Sequence, residues 1–153
     1  MLRLSKLTDY AVVVLLRLAQ SDHVQTSPGL SAITGVPEPT VAKVLKILAA
    51  ADMVTSQRGA RGGYRLSQPL AAISVSDVIA AIDGPIALTA CVEGSSTECE
   101  VQGMCAVRGR WEVVNDAIRG ALGSISLAEL STASIPPAFR VPTAPARPTA
   151  PAE

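Results

Sequence analysis

The chain has 153 residues, 48% of them apolar and only 3% aromatic, so a packed core of Val, Leu, Ile and Ala is expected and a disordered polymer is excluded. Thirteen Lys and Arg balance thirteen Asp and Glu. The longest aliphatic run, Ala11 to Leu16, falls far short of the roughly 20 residues a membrane helix needs. No small-residue cleavage site follows an apolar core near the N-terminus, and an odd count of three Cys argues against a closed disulfide framework, so a cytoplasmic protein is expected.

Leu7, Ala11, Val14, Leu15 and Leu18 recur at helical spacing, which predicts a first helix capped by Ser5 or Thr8. A short second helix runs from Pro28 to Thr34, with Pro where a missing N–H does no harm, and Gly35 ends it. Pro37 opens a third helix carrying Val41, Val44, Leu45 and Leu48 on one face, closed at Asp52 and Met53. Two β-leaning runs follow, Val54 to Arg58 and Tyr64 to Ser67, around a glycine-rich tip from Gly59 to Gly63. This order predicts a mainly α fold with a small β-hairpin wing: a winged helix-turn-helix over residues 1–68, with Gly35 as its bend.

A second region, with a loop and dimerisation helices, is expected over residues 69–130. It opens with a helix from Val75 to Ile82, capped by Ser74 or Ser76 and stopped by Gly84 and Pro85. An extended piece, Ile86 to Thr89, leads into a Cys-bearing loop. A long helix from Ala106 to Leu122 then sets Val107, Trp111, Val114, Ile118 and Ala121 in a seam that suits a homodimer. Residues 131–153 hold six of the eleven prolines, and the expectation there is a disordered Pro/Ala-rich tail without helix or sheet.

Charge is unevenly placed. Residues 1–65 carry eight Lys and Arg against four acidic residues, whereas residues 66–130 carry three Arg against eight. A basic first half suits double-stranded DNA. On the third helix, Pro39, Thr40, Ala42, Lys43 and Lys46 fall opposite or beside the buried face, where a recognition helix meets base edges and phosphates. At the wing, Arg58, Gly59 and Arg61 set two guanidinium groups on a narrow projection fit for the minor groove or phosphates. No Gly-Lys-Ser/Thr follows, so a nucleotide-binding P-loop is excluded.

Cys91, Cys99 and Cys105 stand in a C-x7-C-x5-C cluster joined by polar and glycine residues. Thiolates in a flexible loop suit zinc or an iron–sulfur cluster, and these intervals are wider than the usual zinc pairs. Reactive thiols without metal are the alternative. A fourth ligand is not evident: His23 reads as a surface residue, while Glu93, Glu98, Glu100 and Asp9 offer oxygen. One His, no Ser-His-Asp set and no phosphate loop leave little for an enzyme to work with.

The chain resembles the IscR/NsrR family of winged-helix iron–sulfur regulators. The likeness lies in LRLSKLTDYAV, TSQRGARGGYRLS, ISVSDVIAAIDGPIAL and CAVRGRW…AIRGALGSISLAEL, and covers residues 1–130. Several stretches are similar to the subgroup regulating SUF iron–sulfur assembly operons. The resemblance implies a homodimeric DNA-binding repressor that holds a 2Fe–2S or 4Fe–4S cluster on Cys91, Cys99 and Cys105. Where IscR-like members place a ligating histidine, Arg108 stands here. NsrR-like members use an acidic residue from the partner's first helix, and Asp9 occupies that position. The first Cys interval is seven residues rather than the family's common five. Ala42 replaces a base-reading acidic residue, and Arg58 matches the wing arginine implicated in minor-groove contact. A same-fold sensor of nitric oxide or thiol oxidation, and a cluster carrier, are the alternative readings.

Overall fold

The structure, a computed structural model, describes residues 3–101 and 103–139. Helix α1, Lys6–Leu18, starts at Ser5, whose side chain accepts the Thr8 N–H at 3.1 Å. It buries Thr8, Ala11, Val14, Leu15 and Leu18, while Leu7, the first residue of the predicted stripe, is half-buried against the core. Helix α2, Ser27–Thr34, is capped by Thr26 through the Gly29 N–H and ends at Gly35. Gly35 takes φ 74°, a left-handed turn that glycine adopts without a Cβ penalty. Helix α3, Glu38–Ala50, follows after a three-residue link, Gly35 to Pro37, and buries Val41, Val44, Leu45 and Leu48.

Strands β1, Val54–Gln57, and β2, Gly63–Leu66, pair antiparallel with Val54 opposite Leu66 and Gln57 opposite Gly63. The wing is fastened further by Gln25, just before α2, which exchanges two backbone hydrogen bonds of 2.8 Å with Tyr64. That close approach requires glycine next door: a Cβ on Gly63 would stand 2.7 Å from the Gln25 carbonyl oxygen.

Helix α4, Val75–Asp83, carries a reciprocal capping box between Ser74 and Asp77 and stops at Gly84. Helix α5 is Glu112–Gly123, six residues shorter at its start than the sequence pattern predicts. Residues 106–111 form successive turns, with Arg108 N–H to Cys105 O and Arg110 N–H to Val107 O, and Gly109 at φ 70° interrupts the helical ladder. Val107 therefore precedes the helix rather than opening its seam. Of the expected extended piece, Ile86 and Ala87 carry no regular structure, and Leu88 and Thr89 form a bend.

A sixth helix, α6, Leu127–Thr132, has its own capping box between Ser126 and Glu129. It runs two residues into the segment expected to be a featureless tail, and Pro137–Phe139 adds one 3-10 turn. Residues 140–153 of that segment lie outside the described residues.

Packing runs across position 68. Ile73, Val78 and Leu127 belong to the same buried cluster as Val14, Leu15, Leu30, Leu45 and Leu48. Two antiparallel backbone bonds of 2.9 Å, Val75 N–H to Ile125 O and Leu127 N–H to Ile73 O, tie the starts of α4 and α6 together. Burying each such aliphatic side chain contributes about 1.5–3 kcal/mol. Among the described residues no helix is long and apolar enough to cross a membrane.

Candidate nucleic-acid interface and cysteine loop

The outward face of α3 is as the sequence pattern places it. Pro39, Ala42, Lys43 and Lys46 are exposed and Thr40 is half-buried, while the opposite face closes the core. The α2–α3 turn presents the first turns of α3 at the surface. Arg58, Gly59 and Arg61 are exposed on the five residues joining β1 to β2, and Arg65 is exposed on β2. Among the described residues the one ion pair is Arg119 with Asp116 at 3.7 Å, so none of these five cations is neutralised by a described carboxylate. Helix face and wing thus offer unpaired positive charge on two adjoining projections, the form that meets a phosphate backbone.

The cysteine loop runs from Gly84 to the start of α5. Cys91, Cys99 and Cys105 are all free thiols and all half-buried. Cys91 is set apart by its hydrogen bonds. The Thr89 hydroxyl lies 3.3 Å from its Sγ and the Gly109 N–H also points to it, and together they hold the thiol below its ordinary pKa despite opposing desolvation and the nearby Glu112 carboxylate.

Three free soft donors, one already biased to the thiolate, match the chemistry of an iron–sulfur or zinc centre. Among the described residues, however, no three His, Cys, Asp or Glu side chains converge as a metal-holding group. Asp9 is exposed in the first turn of α1. Its neighbour Thr8 is fully buried and donates 2.6 Å to Asp83 Oδ2, at the last residue of α4 before the cysteine loop. His23 is exposed.

A family model described as Rrf2, iron-dependent transcriptional regulator, matches residues 4–133. The chain belongs to the Rrf2 family. Among Rrf2 and related proteins it is 32% identical to the HTH-type transcriptional regulator IscR of Vibrio cholerae over 133 residues, 84% of this chain and 75% of that one. In fold it is similar to CymR, the global cysteine regulator of B. subtilis, with TM-score 0.66 and 27% identity over 86% of this chain and 97% of the other. It is also similar to T. potens IscR, with TM-score 0.62 and 28% identity over 85% and 86% of the two chains. This Rrf2 chain is accordingly a DNA-binding transcription regulator of winged-helix architecture, not an enzyme.

Sequence reasoning missed two residues that shape the cysteine loop. Glu112 and Asn115 on α5 accept hydrogen bonds from loop backbone, at Glu93 and Leu88 respectively. A signal for Asn115 was present: it lies four residues after Trp111 and three before Ile118, a polar residue inside an apolar seam. Glu112 carried none, because acidic residues in a first helical turn are ordinary.

Proposed function

We propose that this regulator senses iron–sulfur cluster status and represses iron–sulfur assembly (SUF) genes as a homodimer. The observation carrying this reading is the loop of three free cysteines, one held toward its thiolate, packed against the start of an amphipathic helix. Cys91, Cys99 and Cys105 would hold the cluster, with Asp9 of a second copy as the fourth ligand. A bound cluster would supply thiolate-held iron that is lost when iron or sulfide is scarce.

The chain's own residues do the rest. Gathering the thiols orders residues 91–105 between α4 and α5, and Trp111, just before α5, and Val114 on it are both exposed and available to a second copy. The spacing of two α3 helices then depends on the loop, and operator affinity shifts by the preference of one loop state for one spacing. Pro39, Thr40, Ala42 and Lys43 face base edges. Lys46 faces phosphate, and Arg58, Gly59 and Arg61 enter the minor groove or grip its phosphates.

The test is anaerobic purification with iron, sulfide and absorbance analysis, the Cys91→Ser variant alongside, and operator binding with and without cluster. Stoichiometric iron and sulfide, lost in the variant, together with different operator affinities, is the expected result. Equal affinity of the two forms removes the linkage. A colourless protein after reconstitution favours a thiol-sensing regulator, the reading that the depressed Cys91 pKa also supports. Asp9→Ala is expected to weaken the cluster without altering the fold, and an unchanged cluster spectrum would remove Asp9 from the ligand set.

A further inference from the structure

We propose that Glu112 and Asn115 are positioning residues for the Cys91 turn, fixing where that thiol stands relative to α5. The turn from Leu88 to Glu93 has no helix or strand of its own. It is fastened at both ends instead. The Leu88 N–H donates to Asn115 Oδ1 at 3.1 Å, and the Glu93 N–H donates to Glu112 Oε2 at 2.8 Å. The two acceptors stand three residues apart on α5 and so share one face, with Cys91 between the two anchored amides. Val92 beside it is buried.

The composition of this clamp is hard to explain as packing alone. Asn115 is fully buried on the apolar side of α5, where a Leu would continue the seam. Among the described residues its Nδ2 has no hydrogen-bond partner, and neither has the buried Oε1 of Glu112. Unsatisfied buried donors and acceptors are uncommon because each forfeits its hydration. Here a spare donor and a spare acceptor lie one turn apart, each on a side chain whose other polar atom grips loop backbone. Trp111 gives α5 no side-chain cap, so the first-turn carboxylate of Glu112 is engaged by the loop rather than by its own helix end. Holding Cys91 in place is the task that accounts for both residues.

The experiment uses the full chain with Glu112→Ala, Glu112→Gln, Asn115→Ala and Asn115→Asp. In protein without metal, amide exchange at Glu93 is expected to quicken about tenfold or more in Glu112→Ala, and at Leu88 in Asn115→Ala. Glu112→Gln and Asn115→Asp keep an acceptor and are expected to restore protection, with exchange in α1 and α3 unchanged throughout. Unchanged exchange in the alanine variants overturns the clamp.

The second arm rests on the cluster reading above. After reconstitution, Glu112→Ala is expected to lose iron to a chelator about tenfold faster with an altered visible circular dichroism spectrum, and Glu112→Gln to behave as the parent. Faster exchange with iron loss and spectrum unchanged leaves the fastening merely structural and overturns the positioning role. A parent chain that takes up no iron or sulfide overturns the cluster reading instead. The positioning role is then read from alkylation of Cys91 relative to Cys99, which Asn115→Ala must change; an unchanged ratio overturns it.

Discussion

At the scale of single residues, Cys91 differs from Cys99 and Cys105 in what its sulfur touches. Its thiolate is favoured first by the Thr89 hydroxyl and then by the Gly109 N–H, and only partly opposed by desolvation and Glu112. Because the folded pKa is depressed, the thiolate fraction in the native chain exceeds that of an ordinary cysteine as pH rises toward the usual thiol range. With metal absent, Cys91 is therefore expected to alkylate faster than the other two near neutral pH, with the gap closing above the ordinary thiol pKa. Peptide mapping after a short iodoacetamide pulse checks this, and Thr89→Val is expected to slow the Cys91 reaction. Equal rates for all three cysteines would show that the Thr89 and Gly109 contacts do not govern the thiol. The identity of the three cysteines was plain in the sequence because they crowd into fifteen positions. The special character of Cys91 was not: its first cause, Thr89, is two residues away, but whether that hydroxyl faces the sulfur depends on the fold of the loop, and the second cause, Gly109, is eighteen residues away.

At the scale of elements, the caps carried most of the legible signal. Ser5, Gly35, Ser74 and Gly84 act where local chemistry predicts, since each satisfies or ends a helix through atoms only a few residues away. Gly35→Ala tests the most demanding of them. Nothing lies within 4 Å of a Cβ placed there, so the penalty is backbone strain at φ 74° alone, about 1–2 kcal/mol in a denaturant titration. The start of α5 was misjudged for the converse reason. The apolar seam continues through Val107, but Gly109 in a left-handed turn directs the backbone toward Cys91 instead.

Helix α6 was missed because its six residues sit beside a proline-rich segment, although Ser126 and Glu129 spell a capping box. Glu129 is held below the usual glutamate range, first by the Ser126 backbone N–H and then by the Ser126 hydroxyl. The sign follows directly. A carboxyl with a depressed folded pKa adds stability that is present above its unfolded value and lost as pH falls through the lower, folded value. Protection of the α6 amides is thus expected to fade on acidification through that window, and Glu129→Gln is expected to flatten the dependence. An unchanged acid profile in that variant would show that the cap does not govern α6.

At the scale of the whole molecule, one core joins α3 and the wing to the helices flanking the cysteine loop. Val44 and Leu45 on α3 pack in the same cluster as Val78 on α4 and Leu127 on α6. Interiors of this density pass displacements rather than absorb them, so a change in the loop has a physical route to the recognition helix. The face it would act on bears Lys43, Lys46, Arg58, Arg61 and Arg65 without carboxylate partners among the described residues. Should all ten such cations of a dimer meet phosphate, log affinity would fall with log salt at a slope of about −9, the upper limit. Replacing one of them by Ala in both copies removes two charges and is expected to make the slope shallower by about 1.8 if that side chain neutralises phosphate. Lys46→Ala is expected to do this equally on operator and on unrelated duplex, since phosphates carry no sequence. Lys43 and Arg58 stand where base edges and the minor groove are within reach, so their alanine variants are expected to lose more on the operator than on unrelated DNA, by about 1–3 kcal/mol for a lost base contact. Salt titrations on both duplexes separate the two roles. An identical loss for Lys43→Ala and Lys46→Ala on both would show that α3 contributes charge alone and that sequence is read elsewhere.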